Sequence, residues 1–166
     1  MQLTHEAHSS PKDNTKDIIV LCDNVKGPAN IGSIFRLSDA FGVNEIIFGG
    51  QALDLSSSRL KRTARNTHHK VRFRESADLQ PTLQELHSQG YHSIAIEITD
   101  QSIPLNTLAR NTWDKVVLIV GDENFGISEG LLKLVSQTAH IPMLGVNSSM
   151  NVAQALGIAL YEITRS

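Results

Sequence analysis

The sequence predicts an α/β fold, a mainly parallel sheet with helices on both faces, and three observations support that reading. Short apolar runs of strand length recur along the chain, and stretches with helical apolar spacing lie between them. The clearest run, KVVLIV over residues 115–120, shows no polar alternation, as a strand covered on both faces requires.

Each element follows in order. Residues 1–16 are polar, carry Ser9, Ser10, Pro11 and Asn14, and read as a flexible tail, which leaves 17–166 as a single domain. DIIVLCD, residues 17–23, and NEIIF, residues 44–48, are apolar runs rich in Ile and Val that read as buried strands. Between them residues 28–41 place Ile31, Ile34, Phe35 and Phe41 at helical spacing, with Pro28 in the first turn and Gly42 at the stop. Residues 76–89 read as a second helix, kinked or delayed by Pro81 and ended by Gly90, and 91–98 as a strand. After the strand at 115–120 comes the loop GDENFG, then Ser128 as the cap of a short helix with Leu131, Leu132 and Val135. A last strand is expected over 139–141. In the final helix Val152, Ala155, Leu156, Ala159, Leu160 and Ile163 form one apolar face.

Composition narrows the function classes. With 40% hydrophobic and 19% charged residues the chain has the make-up of a globular protein. No apolar run approaches the roughly 20 residues of a membrane span, and the first residues lack a secretory signal, so a cytoplasmic protein is expected. The one cysteine, Cys22, sits in an apolar run and reads as a buried small hydrophobe rather than a catalytic thiol. A net charge of −2 gives no bulk signal for nucleic acid. Residues 59–74, RLKRTARNTHHKVRFR, nevertheless contain no acid. That run is either a patch following a phosphate backbone, through Arg59, Lys61, Arg62 and Arg65, or a solvated face.

Several familiar chemistries do not fit. No G-x-G-x-x-G follows the first strand, so a dinucleotide site is not expected. GDENFGIS has phosphate-loop glycine and serine spacing, but Ile127 stands where the lysine belongs and Asp122 and Glu123 would repel phosphate. The histidines, His68 and His69 among them, lack zinc spacing, and no metal is expected.

Three polar loops remain, each after an expected strand: residues 24–36, 121–126 and 141–151. Ligands collect beyond the carboxyl ends of parallel strands, where such loops lie. Asn30, Arg36, Glu123, Asn124, Asn147, Ser148, Ser149 and Asn151 offer hydrogen-bonding groups there; taken singly, the Asn and Ser residues also suit helix caps and turns. Arg36 falls off the apolar face of its helix, with Gly32 and Ser33 before it and Ala40 after it.

Together the loops resemble the signature motifs of the SpoU-type, or TrmH-like, RNA ribose methyltransferases. The first motif is carried by Asn30, Gly32, Arg36, Phe41, Gly42 and Val43, the second by LIVGDENFGIS from Leu118, and the third by residues 141–155 with Ser149, Met150, Asn151 and Val152 in register. The resemblance spans residues 18–165. It implies a carboxyl-terminal trefoil knot, S-adenosylmethionine as methyl donor, tRNA or rRNA as substrate, and a homodimer. It places the donor at Ile98, Gly121, Ile141, Ser149 and Met150, and gives Arg36 the central role at the ribose 2′-hydroxyl with Asn30, Glu123, Ser149 and Asn151 around it. Two roles for Arg36 stay open, base or positioning and electrostatic group; the second, binding the adjacent phosphate and stabilising developing alkoxide charge, is favoured because a guanidinium is a poor proton acceptor. Small residues such as Ala153 and Gly157 are expected to pack closely at the knot. The chain departs from the family at Arg65, Asn66 and Thr67, where a small Ala-Gly-like stretch is usual. With no room for an appended RNA-binding domain, RNA recognition is expected from this domain, its dimer or a partner. Two other classes stay open, a non-catalytic RNA-binding or ribosome-assembly module and a knotted enzyme acting on a base.

Overall fold

The computed structural model describes residues 16–165, so the tail expected over 1–16 lies, apart from Lys16, outside the described residues. The elements are β1 (Asp17–Asp23), α1 (Pro28–Ala40), β2 (Glu45–Gly49), α2 (Ser58–Ala64), β3 (Phe73–Ser76), α3 (Leu79–Ser88), β4 (His92–Ile96), β5 (Ile103–Pro104), β6 (Lys115–Gly121), α4 (Glu129–Leu132), β7 (Gln137–His140) and α5 (Val152–Thr164). The strands form one seven-stranded sheet in the order β3-β2-β1-β6-β4-β7-β5, and every pairing is parallel.

Alternation along the central strands divides the core between two faces. Ile18, Val20 and Cys22 of β1, with Val116, Leu118 and Val120 of β6, join Ile31, Ile34 and Phe35 of α1 and Leu156, Leu160 and Ile163 of α5. Ile19, Leu21, Val117 and Ile119 point the other way, onto Leu79, Leu83 and Leu86 of α3 and Leu131 of α4. The expected mainly parallel sheet with helices on both faces is therefore what forms. Phe35 centres the larger face, packing its ring 5.2 Å from Phe73 and 5.5 Å from Phe48.

From β1 the chain runs outward to β2 and β3, whereas from β6 it passes β4 to reach β7. The two connections leave neighbouring strands in opposite directions, which opens a crevice at the carboxyl ends of β1 and β6.

Glycines set two close approaches. A Cβ on Gly32 of α1 would overlap Thr63 Oγ1 and the Leu60 carbonyl of α2, so glycine lets those helices touch. At Gly157, expected to serve the knot, a Cβ would lie 3.2 Å from the Leu37 side chain, so its small size serves the contact of α5 with α1.

Some element expectations need correction. The helix expected over 76–89 begins at Leu79, because Asp78 accepts from the Gln80 amide and caps it, and Ser76 ends a strand. Pro81 lies in its first turn, where a missing amide hydrogen costs nothing. The strand expected over 91–98 spans only His92–Ile96, and the last strand runs Gln137–His140. Ser128 occupies the cap position of α4, but its side chain makes no capping bond, and the helix stops at Leu132, before Val135. In α5 the buried set is Ala153, Leu156, Ala159, Leu160 and Ile163, while Val152 and Ala155 are half-buried. The acid-free run 59–74 is not one loop: it supplies α2, a 3-10 turn at Thr67–His69 and the start of β3.

Candidate active site

A cleft of about 900 Å3 opens at the carboxyl ends of β4, β6 and β7 and is lined by residues that include Ile98, Gly121, Glu123, Ile141, Ser149, Met150 and Asn151. All five expected donor-binding residues thus lie on one cleft. Gly121 has no room for a side chain, since a Cβ there would overlap the backbone of Gly126 and Ile127. Three apolar side chains of the lining are open to solvent: Ile98 is 54% exposed, Phe125 85%, and Met150 36%. A volume of this size, lined by both polar and apolar groups, lies in the range of small-molecule sites.

Three distant segments are tied together at the cleft mouth. Asn30 Nδ2 donates to Glu123 Oε1 at 2.9 Å, and the Gly27 amide donates to the same oxygen at 3.2 Å. Asn151 Nδ2 donates to Asn30 Oδ1 at 2.9 Å, while Asn151 Oδ1 accepts the amides of Ala153 and Gln154 and so caps α5. Asn30, Glu123 and Asn151, drawn from three loops, form one continuous hydrogen-bonded chain. Each amide side chain is consequently fixed in orientation, because its oxygen and nitrogen have distinct partners.

Burial opposes the charge of Glu123, but hydrogen bonds from Asn30 and the surrounding backbone amides outweigh it and hold its carboxyl below the usual range. An ionised acceptor of this kind is a poor proton acceptor. Its chemistry here is to organise the Lys26–Asn30 turn. Asp122 is likewise held below the usual range, first by the Asn124 amide, then by Phe125, with Lys26 Nζ 3.6 Å from its Oδ2.

Arg36 is exposed on α1 and has no hydrogen bond or ion pair among the described residues. It is not part of the cleft lining. It stands one turn beyond Gly32, on the side of α1 that α2 touches. Ser149 lines the cleft and is exposed, but it does not join the Asn30 chain.

Arg59, Lys61 and Arg62 on α2, and Arg65 at its carboxyl cap, are all exposed and form no ion pair among the described residues. Arg65 and Asn66 both adopt left-handed backbone, with φ of 48° and 68°, in the place where the resemblance expects small residues. In the back half of the run Arg72 and Arg74 share a single carboxylate, Glu45 on β2, at 3.2 and 3.5 Å. Cys22 is fully buried, and burial first, then the Asp23 and Glu123 carboxylates, pushes its thiol far up, so no thiolate forms there.

Two cleft residues escaped sequence reasoning. Glu97 Oε2 accepts the Ile127 amide at 3.1 Å and Oε1 accepts the Ile98 amide, clamping the 121–127 loop to the end of β4. Its place within an apolar run made it look like strand interior. His140 ends β7 with Nδ1 2.9 Å from Ser102 Oγ, which itself donates to the Thr99 carbonyl. That hydroxyl hydrogen being used, His140 Nδ1 is the donor in this contact. Among the described residues, no group of three or more His, Cys, Asp or Glu is placed to hold a metal ion, and no helix is long and apolar enough to cross a membrane.

The pattern of the SpoU rRNA Methylase family matches residues 17–161. A tRNA (guanosine(18)-2′-O)-methyltransferase of Aquifex aeolicus is 31% identical over 90% of this chain and 70% of its own. The solved structure of an A. aeolicus TrmH/SpoU tRNA modifying enzyme superposes with a TM-score of 0.80 at 30% identity, over 90% of this chain and 74% of that one. An AdoMet-bound rRNA methyltransferase from Sinorhizobium meliloti superposes at 0.81 with 28% identity, over 89% and 55%. Other curated relatives are spanned over 52% to 59% of their length.

Proposed function

The chain belongs to the SpoU rRNA Methylase family, and on that premise we propose that it transfers a methyl group from S-adenosylmethionine to a ribose 2′-hydroxyl of tRNA or rRNA. The observation that carries the reading is the Asn30, Glu123 and Asn151 chain at the mouth of the cleft, with Asn30 on the helix that also presents Arg36.

S-adenosylmethionine, when bound, supplies an electrophilic methyl group. Ile98, Gly121, Ile141, Ser149 and Met150 would hold it, chiefly through backbone groups and apolar contact. In-line displacement demands that the hydroxyl oxygen be held against the methyl carbon, so positioning is most of the catalytic task. Arg36 is free to fork onto a phosphate oxygen and the developing alkoxide. Its role in this reading is positioning and electrostatic, a guanidinium being a poor proton acceptor. Glu123, with its charge already satisfied, is a poor proton acceptor as well. The proton therefore passes to phosphate or solvent, and the Asn30 to Asn151 chain keeps the first and third loops in register around the oxygen.

The same reading includes a trefoil knot in the carboxyl-terminal segment, a cytoplasmic homodimer, and an RNA-facing surface at Arg59, Lys61, Arg62 and Arg65. The dimer is supported by Ile158 and Tyr161, which leave 41% and 61% of their surface exposed on α5 beside α1. The test is mass spectrometry of nucleosides from RNA of cells lacking the gene, before and after treatment with the protein and donor. One 2′-O-methylated nucleoside is expected to return. A methylated base in its place, or donor binding absent by calorimetry, overturns the reading.

A further inference from the structure

Among the described aromatic residues only Phe125 and Tyr161 are exposed, and Phe125 is 85% exposed. An apolar ring left in water forgoes the stabilisation that burial would supply. Phe125 does so on a fastened turn. Asp122 Oδ1 accepts the amides of Asn124 at 2.8 Å and Phe125 at 3.0 Å, and Asp122 and Gly126 exchange backbone hydrogen bonds of 2.9 and 3.1 Å. Gly126 takes the left-handed conformation that closes the turn, with φ of +69°, and Glu97 holds the next amide. The ring is thus held out on a rigid support at the cleft rim, two residues beyond the Glu123 that binds Asn30.

We propose that Phe125 is a stacking platform for an unpaired RNA nucleobase at the mouth of the cleft. The proposal rests on the methyl-transfer reading and deepens it, by naming what grips the base while other groups grip ribose and phosphate. A flat apolar face suits a nucleobase because every base presents a π-face, so stacking needs no hydrogen-bond partner and tolerates any sequence. The exposed cations of α2 are the groups elsewhere on the molecule that suit an RNA backbone. A base splayed onto Phe125 leaves its ribose free to turn into the cleft.

The experiment measures binding of two labelled single-stranded probes of about 12 nucleotides, oligoadenylate and an abasic strand of equal charge. The wild type is expected to prefer oligoadenylate. Phe125→Ala should lose about 5- to 150-fold on oligoadenylate, the range that one stacked base is worth, and nothing on the abasic strand. Its salt dependence on both probes should match the wild type, because no phosphate contact is removed. Phe125→Leu, apolar but not flat, should fail like alanine; Phe125→Trp should bind, with its fluorescence quenched by oligoadenylate and not by the abasic strand. Equal affinity of the wild type for both probes, or full binding by Phe125→Leu, overturns the proposal. So does dissociation of a dimer in sedimentation velocity for Phe125→Ala with RNA affinity intact, which assigns the ring to a second copy of the chain. Each of these leaves the methyl-transfer reading standing if nucleoside methylation persists. A wild type that binds neither probe and methylates no RNA overturns both.

Discussion

At the carboxyl ends of β1 and β6 three polar side chains are bonded to one another, whereas the cations of α2 are exposed and make no salt bridge among the described residues. Asn30, Glu123 and Asn151 satisfy each other across 93 and 121 residues of sequence. Arg59, Lys61, Arg62 and Arg65 form no salt bridge among the described residues, although Asp54 feels the charge of Lys61, and the imidazole of His68 beneath them is buried with neither nitrogen bonded. A side chain that must hold a fixed orientation is tied to other protein groups; one that must meet a ligand's charge is left without a protein partner. Arg36 is the instructive intermediate. It springs from the same helix as Asn30 but is as unpaired as the cations of α2.

The strongest way to break this comparison is Arg36→Ala. With saturating donor and RNA, single-turnover methyl transfer should fall by roughly a hundredfold or more, the scale of one lost transition-state contact. Donor affinity and thermal stability should stay put, because Arg36 is off the core. Arg36→Lys should restore little, since a point charge lacks the forked geometry. Near wild-type turnover in the alanine variant would move Arg36 into the merely solvated class.

The basic side of the comparison is sharpened by replacing Lys61, Arg62 and Arg65 together with alanine. For single-stranded RNA, the slope of log affinity against log salt should become shallower by about two, each lost phosphate contact contributing about 0.7. Donor binding, by calorimetry, should not change. An unaltered slope would return this surface to the solvated-face alternative.

A smaller effect tests the bonded side. Glu123→Gln keeps the shape but removes the charge that accepts from Asn30 and Gly27, and should cost about 1 kcal/mol of stability, discounted for the exposure of the site. Because folding lowers the Glu123 pKa, its contribution is complete above the unfolded value and disappears as pH falls through the folded one. Denaturation curves of wild type and variant should therefore converge in acid. Divergence there would contradict the assignment.

The smallest effect has the opposite sign. Burial first, then His69 and Lys61, lowers the His68 pKa, so the ring is buried neutral with two orphaned nitrogens. His68→Leu should stabilise the protein by about 1 kcal/mol, the low end of the cost of an unsatisfied polar group. A depressed histidine pKa means stability is lost as pH falls from the ordinary value of 6.5 through the folded one. The advantage of the variant should widen over that range. A variant no more stable at pH 6 than at pH 8 would show that His68 finds partners in solution.

What was legible in the sequence follows the same division. β1 and β6 are buried on both faces, so their apolar runs name them without help from context. α2 offers only Leu60 and Ala64 to the core, too few to show a helical period in a basic stretch. β3 is an edge strand, FRES, whose Arg74 reaches Glu45 rather than the core, and β5 has two residues. At the cleft, Asn30, Glu123 and Asn151 were visible through their loops, but that they bond to one another was not, since no spacing encodes a contact across 121 residues. Glu97 and His140 were hidden by lying at strand ends, where a polar residue looks like alternation. Arg72 and Arg74 looked equivalent to Arg62 until register placed Glu45 beside them.

The doubled hydrogen bonding of Asn151 also imposes a timetable on biosynthesis. Its oxygen starts α5 and its nitrogen steadies Asn30, so one amide translated late completes a structure begun 121 residues earlier. A chain made as far as His140 holds every strand of the sheet, but the Asn30 side-chain oxygen still lacks the donor that Asn151 gives it in the folded protein. At about 5–20 residues per second, residue 151 follows on the order of a second later, and only then can that bond form.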